Sequence, residues 1–423
     1  MKNKIFYGWW IVIVTNLICM LGFGTWLYSF GVFFKPMMSE FGWTRAMTSL
    51  AASLRSIEGG VAGPVVGWAV DRYGARKVIF SGGLVSGLGF CLMPFVNSLV
   101  GFYLIYGVLI SIGMSAMLYI PAFVVVAKWF SRKLSRALSV LAVGAGLGGL
   151  VFAPISAVII QHYGWRMAFL IIGVVIWVVV LPLTLVIKED PQSMGLKPDG
   201  ELEKQKESDP ENIMLNGNQA KTERASDLTL KQALGSSAFW IISLSFFFQN
   251  ISHSAVFVHA VPALTDAGIS VEKAALAIGY LTTVSIIGRL GLGYLGDFMD
   301  KRYLFLISFA LMGSGMLVLM NARDMVMVYI FIALFGIGFG STVPLMAAMR
   351  AEYFGRAALG KIQGFMSPVT MFAGAIGPFS AGYLFDKTGT YRTAFLVMGL
   401  VTFLGGLIML FAKPARFSQA SDS

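Results

Sequence analysis

Residues 67–77 read GWAVDRYGARK, and residues 293–302 read GYLGDFMDKR. Each stretch closes a glycine-rich apolar run with a cluster of charge. Gly67 corresponds to Gly293 and Asp71 to Asp297, both at an offset of 226 residues. The offset continues upstream. In FFKPMMSEFGWT (33–44) and VHAVPALTDAGIS (258–270), Pro36 answers Pro262, Glu40 answers Asp266 and Gly42 answers Gly268. Downstream, WRMAF (165–169) answers YRTAF (391–395), and WFSRKLSRA (129–137) answers EYFGRAALG (352–360). One such match carries little weight. A near-constant offset through many landmarks means a duplicated unit.

Composition says what the unit is. The chain has 423 residues, of which 57% are hydrophobic and only 13% charged, against about 25% charged in a soluble domain. Apolar runs of about 20 residues recur along its whole length, each enough to cross about 30 Å of hydrocarbon. They are too long for barrel strands, and backbone groups in lipid must be satisfied within each segment. The expected spans are 8–34, 46–70, 78–97, 100–127, 136–160, 165–187, 238–264, 273–296, 303–320, 325–348, 358–384 and 391–412. The fold class is therefore an all-α polytopic membrane protein with twelve transmembrane helices in two pseudo-symmetric six-helix bundles. Residues 1–187 form the first bundle, 188–237 a linker, 238–412 the second bundle and 413–423 a tail. The linker contains KPDGELEKQKESDPENIMLNGNQAKTERASD (197–227), which is too polar to bury a core. Gly8 to Phe34 is longer than a signal-peptide core and is read as a retained span. Cys19 and Cys91 lie in apolar runs and are read as free thiols.

An even span count puts both termini on one side. Of the 32 Lys and Arg, seven fall on the opposite side (Lys35, Arg45, Arg166, Lys273, Arg323, Lys387, Arg392), and Arg55 and Arg289 lie inside spans. The other 23 share the side of the termini and linker. The positive-inside rule places that side in the cytoplasm. This topology accounts for the net charge of +11 without nucleic acid as a partner.

GWAVDRYGARK resembles the cytoplasmic loop motif of the major facilitator superfamily, and GAGLGGLVFAP (144–154) resembles that superfamily's glycine-rich fifth-helix signature. YGWWIV (7–12) and WFSRKLSRALSVLAVGAGLGG (129–149) are similar to signatures of its monocarboxylate transporter group, which includes bacterial oxalate/formate-type antiporters and lactate transporters. The resemblance covers all twelve spans but not the linker. It implies a bacterial inner-membrane (plasma membrane) carrier that works by alternating access, with its site between the halves. It also implies a conformational latch at Gly67, Asp71, Arg72 and Arg76, echoed by Gly293 and Asp297. A simpler reading of the same basic residues is that they hold the loop inside.

Polar residues at membrane depth are the candidates for the transport site. Span eight carries Arg289, whose planar, permanently charged fork suits a carboxylate. The monocarboxylate and oxalate relatives carry a span-eight arginine in that role. The alternative is a structural pair with Glu58 or a linker acid. Span seven carries Asn250, His253 and His259. Tyr28 and Tyr119 add phenolic groups, Tyr119 next to the helix-breaking Pro121. The expected substrate-binding set is Arg289, Tyr119, Tyr28, Asn250 and His253, and His253, His259 and Glu58 are the proton-coupling candidates. Arg55 and Glu58, three apart, are read either as a mutually neutralising pair or with Glu58 free to carry a proton.

The animal monocarboxylate transporters have a lysine in span one and an aspartate one turn before the span-eight arginine. Here those positions are Tyr28 and Ser285, so that proton relay does not carry over. The oxalate antiporter pattern has a lysine in span eleven, where this chain reads GFMSPVTMFAGAIGP (364–378), and Lys361 lies before it. A single deep unpaired cation suits a monoanion. The expected function is symport of a small, lactate- or pyruvate-like monocarboxylate with a proton, by one chain acting alone. Organic-anion exchange of the oxalate/formate type is the alternative, and a non-transporting membrane sensor is the reading from another class. No metal-ligand spacing, nucleophile elbow or P-loop is present, so no enzyme activity, metal or cofactor is expected.

Overall fold

The computed structural model describes residues 6–131, 133–200, 228–296, 298–355 and 359–413. Asp297, linker residues 201–227 and the tail from 414 lie outside the described residues, as do the side chains of Tyr119 and Lys361. The described chain is helical, with no strand. The first four long runs are α1 (Tyr7–Phe41), α2 (Arg45–Tyr73), α3 (Ala75–Phe95) and α4 (Leu99–Trp129). Leu134–Val186 is continuous except at Gly164, whose φ of 78° and ψ of 164° break it into α5 (134–163) and α6 (165–186). The second half comprises α7 (Ser237–Asp266), α8 (Val271–Leu295), α9 (Lys301–Leu319), α10 (Met325–Phe354), α11 (Leu359–Thr388) and α12 (Tyr391–Met409).

The ends of these helices follow from local chemistry, and the repeat extends to them. Gly42 ends α1 at φ 66°, and Thr44 accepts from Met47 N at 3.2 Å to open α2. At the same offset, Gly268 (φ 88°) follows α7, and Ser270 accepts from Lys273 N at 3.4 Å to open α8. Glycine takes the left-handed turn without strain, and each hydroxyl cap contributes about 1 kcal/mol. Ser236, Asp324 and Thr390 cap α7, α10 and α12 in the same way. α1 runs to Phe41, beyond the expected limit at 34, because Pro36 removes only its own N–H from the ladder.

Among the described residues, nine helical segments, with α5 and α6 counted as one, are long and apolar enough to cross a bilayer. The remaining two, α2 and α11, have 29 and 30 residues but carry more small and polar residues. The packing explains this: they face each other across the two halves. Ser53 Oγ donates to the Ala375 carbonyl at 2.5 Å, and Gly60 packs against Met371. Within the second half, α8 and α10 approach backbone to backbone. A β-carbon at Gly288 would overlap the Ile337 carbonyl, and one at Gly340 the Ser285 carbonyl.

The face carrying Tyr7, Lys188 and Thr229 is called here the linker face, and the opposite one the far face. Contacts between the halves run from the far face inward and end at Gly60–Met371 on the α2/α11 seam and at Arg289–Ala142 on the α5/α8 seam. A β-carbon at Gly59, Gly67, Gly291 or Gly364 would meet nothing within 4 Å. On the far side the halves are tied by Asp266 to Lys35 and Arg45 and by Asp386 to the N-terminus of α2.

Two features were not anticipated. α1 contains a π-helical turn at Phe23–Tyr28, and α4 one at Tyr103–Ile110. Such turns widen the hydrogen-bond ladder and release carbonyls to other donors. The Trp26 carbonyl takes two: Tyr106 Oη at 2.8 Å and Arg55 Nη1 at 3.1 Å.

Candidate functional site

Arg289 lies half-buried on the face of α8 that meets α5. Its Nη1 donates to the Ala142 carbonyl at 3.4 Å, a bond between the halves, while its Nε is sealed and has no partner. None of the ion pairs among the described residues includes it. Glu58 is not its partner: Glu58 Oε2 accepts from Ser115 Oγ at 3.0 Å, and Oε1 is sealed without one. No acid among the described residues therefore compensates the charge on Arg289, and a linker acid would lie outside them. Ser285, one turn earlier, is buried and donates back to the Thr282 carbonyl at 2.6 Å.

Near the middle of α7, His253 lies flat on Phe339 of α10 (centroids 4.6 Å apart, 17°) and edge-on to Phe257 at 4.8 Å. Phe257 also meets Tyr28, at 5.4 Å, so these rings join α1, α7 and α10 in one midplane cluster. Asn250 is half-buried beside Gly374 of α11, opposite Ser56 of α2. Tyr119 begins the second part of α4, directly after a break at Leu118 (φ −97°, ψ −142°). The backbone is thus interrupted where Pro121 predicted it, one residue earlier than the tyrosine.

Arg55 and Glu58 do not neutralise each other. Arg55 is only 8% exposed and turns to Trp26, with its guanidinium 5.1 Å from the indole and 5.7 Å from the Phe30 ring. Glu58 turns into an apolar cleft of about 880 Å³ bounded by α2, α3 and α4, which Val61, Val65 and Ile112 line and Lys77 closes near the linker face. Arg350 of α10 is a further cation without an acidic partner among the described residues, with Nη2 3.0 Å from Met346 Sδ and Nε sealed without a partner, so Arg55, Arg289 and Arg350 correct the expectation of one.

His259 is fully buried, away from the opening. Its Nε2 lies 2.8 Å from the Pro378 carbonyl and 3.0 Å from Ser49 Oγ, and its Nδ1 lies 2.8 Å from Tyr391 Oη. A carbonyl only accepts, so Nε2 carries the proton and Nδ1 accepts from Tyr391. The ring joins α2, α7, α11 and α12.

Around it lies a set of groups that sequence reasoning assigned only to topology. Asp266 pairs with Lys35 at 2.5 Å and with Arg45 at 2.7 Å. The Arg45 guanidinium lies 3.5 Å over Phe385. The Asp386 carboxylate accepts from Arg45 N at 2.9 Å and Ala46 N at 2.8 Å, so an acid of the second half caps the N-terminus of α2 in the first. Glu40, the counterpart of Asp266 in the repeat, has a different partner. Glu40 pairs with Arg166 and accepts from Trp165 Nε1 at 2.6 Å within its own half.

At the linker face Asp71 is exposed and in no ion pair among the described residues. The helix N-terminus it would reach, that of α3, is occupied by Glu189, which accepts from Ala75 N and Arg76 N at 3.0 and 2.9 Å. Arg72 lies over Trp68 and Tyr73, each at 5.8 Å. Gly293 packs on Pro344 in its own half. Beside it, Asp300 is held below the usual carboxylate range, chiefly by its hydrogen bond from Arg302.

The family model of the Major Facilitator Superfamily matches residues 12–302 and 254–422. Monocarboxylate transporter 12 of Rattus norvegicus is 29% identical over 406 residues, covering 92% of this chain and 80% of that protein. An uncharacterized MFS-type transporter of Bacillus subtilis (strain 168) is 26% identical over 402 residues, covering 94% and 92%. Monocarboxylate transporter 2 of Homo sapiens is 25% identical over 424 residues, covering 97% and 86%. Among solved structures, a bacterial homolog of the human lysosomal transporter Spinster, in an inward-facing and occupied conformation, superposes with a TM-score of 0.74 at 15% identity, covering 97% of each chain. With two duplicated six-helix halves and a family match along nearly its whole length, this chain belongs to the Major Facilitator Superfamily of membrane transporters.

Proposed function

We propose that the chain is a secondary carrier of small monocarboxylates, lactate- or pyruvate-like, that works by alternating access and takes up a proton with its substrate. The observation that carries this reading is Arg289: a guanidinium at membrane depth, bonded only to a carbonyl of the other half, with no acid beside it among the described residues. Removing a buried charge's partner costs about 3–5 kcal/mol. An arginine kept without one is a receptor for an anion that comes and goes. The monocarboxylate transporters that match over nine-tenths of this chain support a carboxylate as that anion.

Arg289 sits where the contacts between the halves end, so a carboxylate bound there touches both. We assign His253, Asn250, Tyr28 and Tyr119 to the surrounding site. His253 is the proton-coupling group in this reading, because it lies in the midplane cluster and has no hydrogen-bond partner among the described residues. Glu58 faces Ser115 off the central path, and His259 serves as a tie at the far face. Asp71, Arg72 and Arg76 form a latch that is open in this conformation. Both termini and the linker lie in the cytoplasm of a bacterial cell, in the inner membrane, and one chain suffices.

Uptake into proteoliposomes of a labelled panel, monocarboxylates against oxalate and uncharged amides, tests the proposal. The expected result is uptake of monocarboxylates that accelerates when the outside is acidified, with the acceleration lost in His253→Gln. Uptake indifferent to pH and selective for oxalate would establish the exchanger instead.

A further inference from the structure

Arg55 poses a problem that the Arg289 site does not solve. It is 92% withdrawn from solvent, at 8% exposure, in the middle of α2. One N–H of its guanidinium serves the Trp26 carbonyl at 3.1 Å, and Tyr106 already serves that carbonyl at 2.8 Å. A neutral amide would satisfy the same acceptor. A permanent charge in so buried a place calls for an anion, and no acid among the described residues supplies one. Glu58, the nearest in sequence, is bonded to Ser115. The Trp26 and Phe30 rings stabilise the cation only in part. The neighbours of Arg55 on α2 nevertheless face the other half: Ser53 Oγ donates to the Ala375 carbonyl at 2.5 Å, and Ser56 lies against Gly374.

The two cations lie at different depths. At 1.5 Å per residue, Arg55 is about 15 Å along α2 from Arg45 at the far face, and Arg289 about 27 Å along α8 from Val271. They belong to opposite halves and differ in depth by about 12 Å. A small carboxylate does not touch both at once.

We propose that Arg55 is a second carboxylate-binding residue, placed so that the anion passes between Arg289, nearer the linker face, and Arg55, nearer the far face, as the halves rock. This rests on the carboxylate-carrier reading above. It adds a station in the first half, and His253, about 20 Å along α7 from Asp266 at the far face, lies between the depths of the two cations.

The test is equilibrium binding of lactate, with lactamide as the uncharged control, to purified Arg55→Gln, Arg55→Lys, Tyr106→Phe and Arg289→Gln proteins. Arg55→Gln should weaken lactate binding by about tenfold or more, leaving lactamide unchanged. Tyr106→Phe removes the other donor to the Trp26 carbonyl and should leave lactate affinity as in the wild type. Should the Gln protein not fold, Arg55→Lys decides, since loss of the planar fork should still weaken binding by about threefold or more. Unchanged lactate affinity in a folded Arg55 variant overturns the proposal. So does an equal loss in Tyr106→Phe, which would put the effect in the π turn. Arg289→Gln reports separately: wild-type affinity there, with loss at Arg55, refutes the Arg289 reading and leaves this one standing.

Discussion

Three charged side chains within the membrane, Arg55, Glu58 and Arg289, end with three different neighbours. Arg55 has a carbonyl and two rings, Glu58 a serine, and Arg289 a carbonyl across the interface. Residue types and spacing alone did not separate these outcomes. Residues three apart on a helix point about 60° apart, which is enough for α4 to take Glu58 while α1 takes Arg55. The two histidines divide as sharply. His259 has both nitrogens occupied by Ser49, Pro378 and Tyr391, whereas His253 is held only by aromatic faces. Two results follow at this scale. Glu58→Gln should retain acid-accelerated uptake, measured as the ratio of initial rates at two external pH values, since Glu58 lies off the path. His259→Ala should lower the thermal unfolding midpoint of purified protein, because the Tyr391 hydroxyl and the Ser49 oxygen lose their partner, at about 1–3 kcal/mol for such a buried group.

Between elements, the duplication explains both what was legible and what was not. Gly42 with Thr44 and Gly268 with Ser270 make the same turn and cap twice, as the offset of 226 predicts. The partners of the duplicated acids have diverged. Glu40 ties α1 to α6 inside the first half, while Asp266 has been redirected to Lys35 and Arg45 of the opposite half. No pattern in one half reveals a bond that exists only when the two meet, so this far-face lock was invisible in the sequence. The lock predicts that Asp386→Asn, which halves the charge-assisted capping of α2, shifts the population toward the far-open state. Labelling of a single cysteine at Ser53 by an impermeant thiol reagent from the far side should then be faster than in the parent protein. Equal rates would show that Asp386 does not hold the gate. Packing of α8 on α10 is a separate matter: Gly340→Leu should abolish folded protein, because its side chain would enter the Ser285 backbone.

For the whole molecule, helix number, duplication and paired halves were readable from hydropathy and repeats, because lipid forces each span to be apolar and self-satisfied. The state of the transporter was not readable. Closure at the far face depends on the free-energy difference between two packings of the same halves. If rocking about the far-face contact is the transport motion, fixing that contact must stop transport. A disulfide between Ser53→Cys and Ala375→Cys, placed where Ser53 meets the Ala375 carbonyl, should arrest uptake when oxidised and restore it on reduction. Uptake that continues in the cross-linked protein would rule out opening along the α2/α11 seam. Arg289 is the proposed receptor of the substrate's carboxylate. Equilibrium exchange of labelled lactate across proteoliposomes tests it most directly, since exchange needs binding and rocking but no proton gradient. Arg289→Gln protein, folded by the criterion of an unchanged unfolding midpoint, should exchange about a hundredfold more slowly at subsaturating lactate, the equivalent of about 3 kcal/mol. Exchange at the wild-type rate would contradict the account.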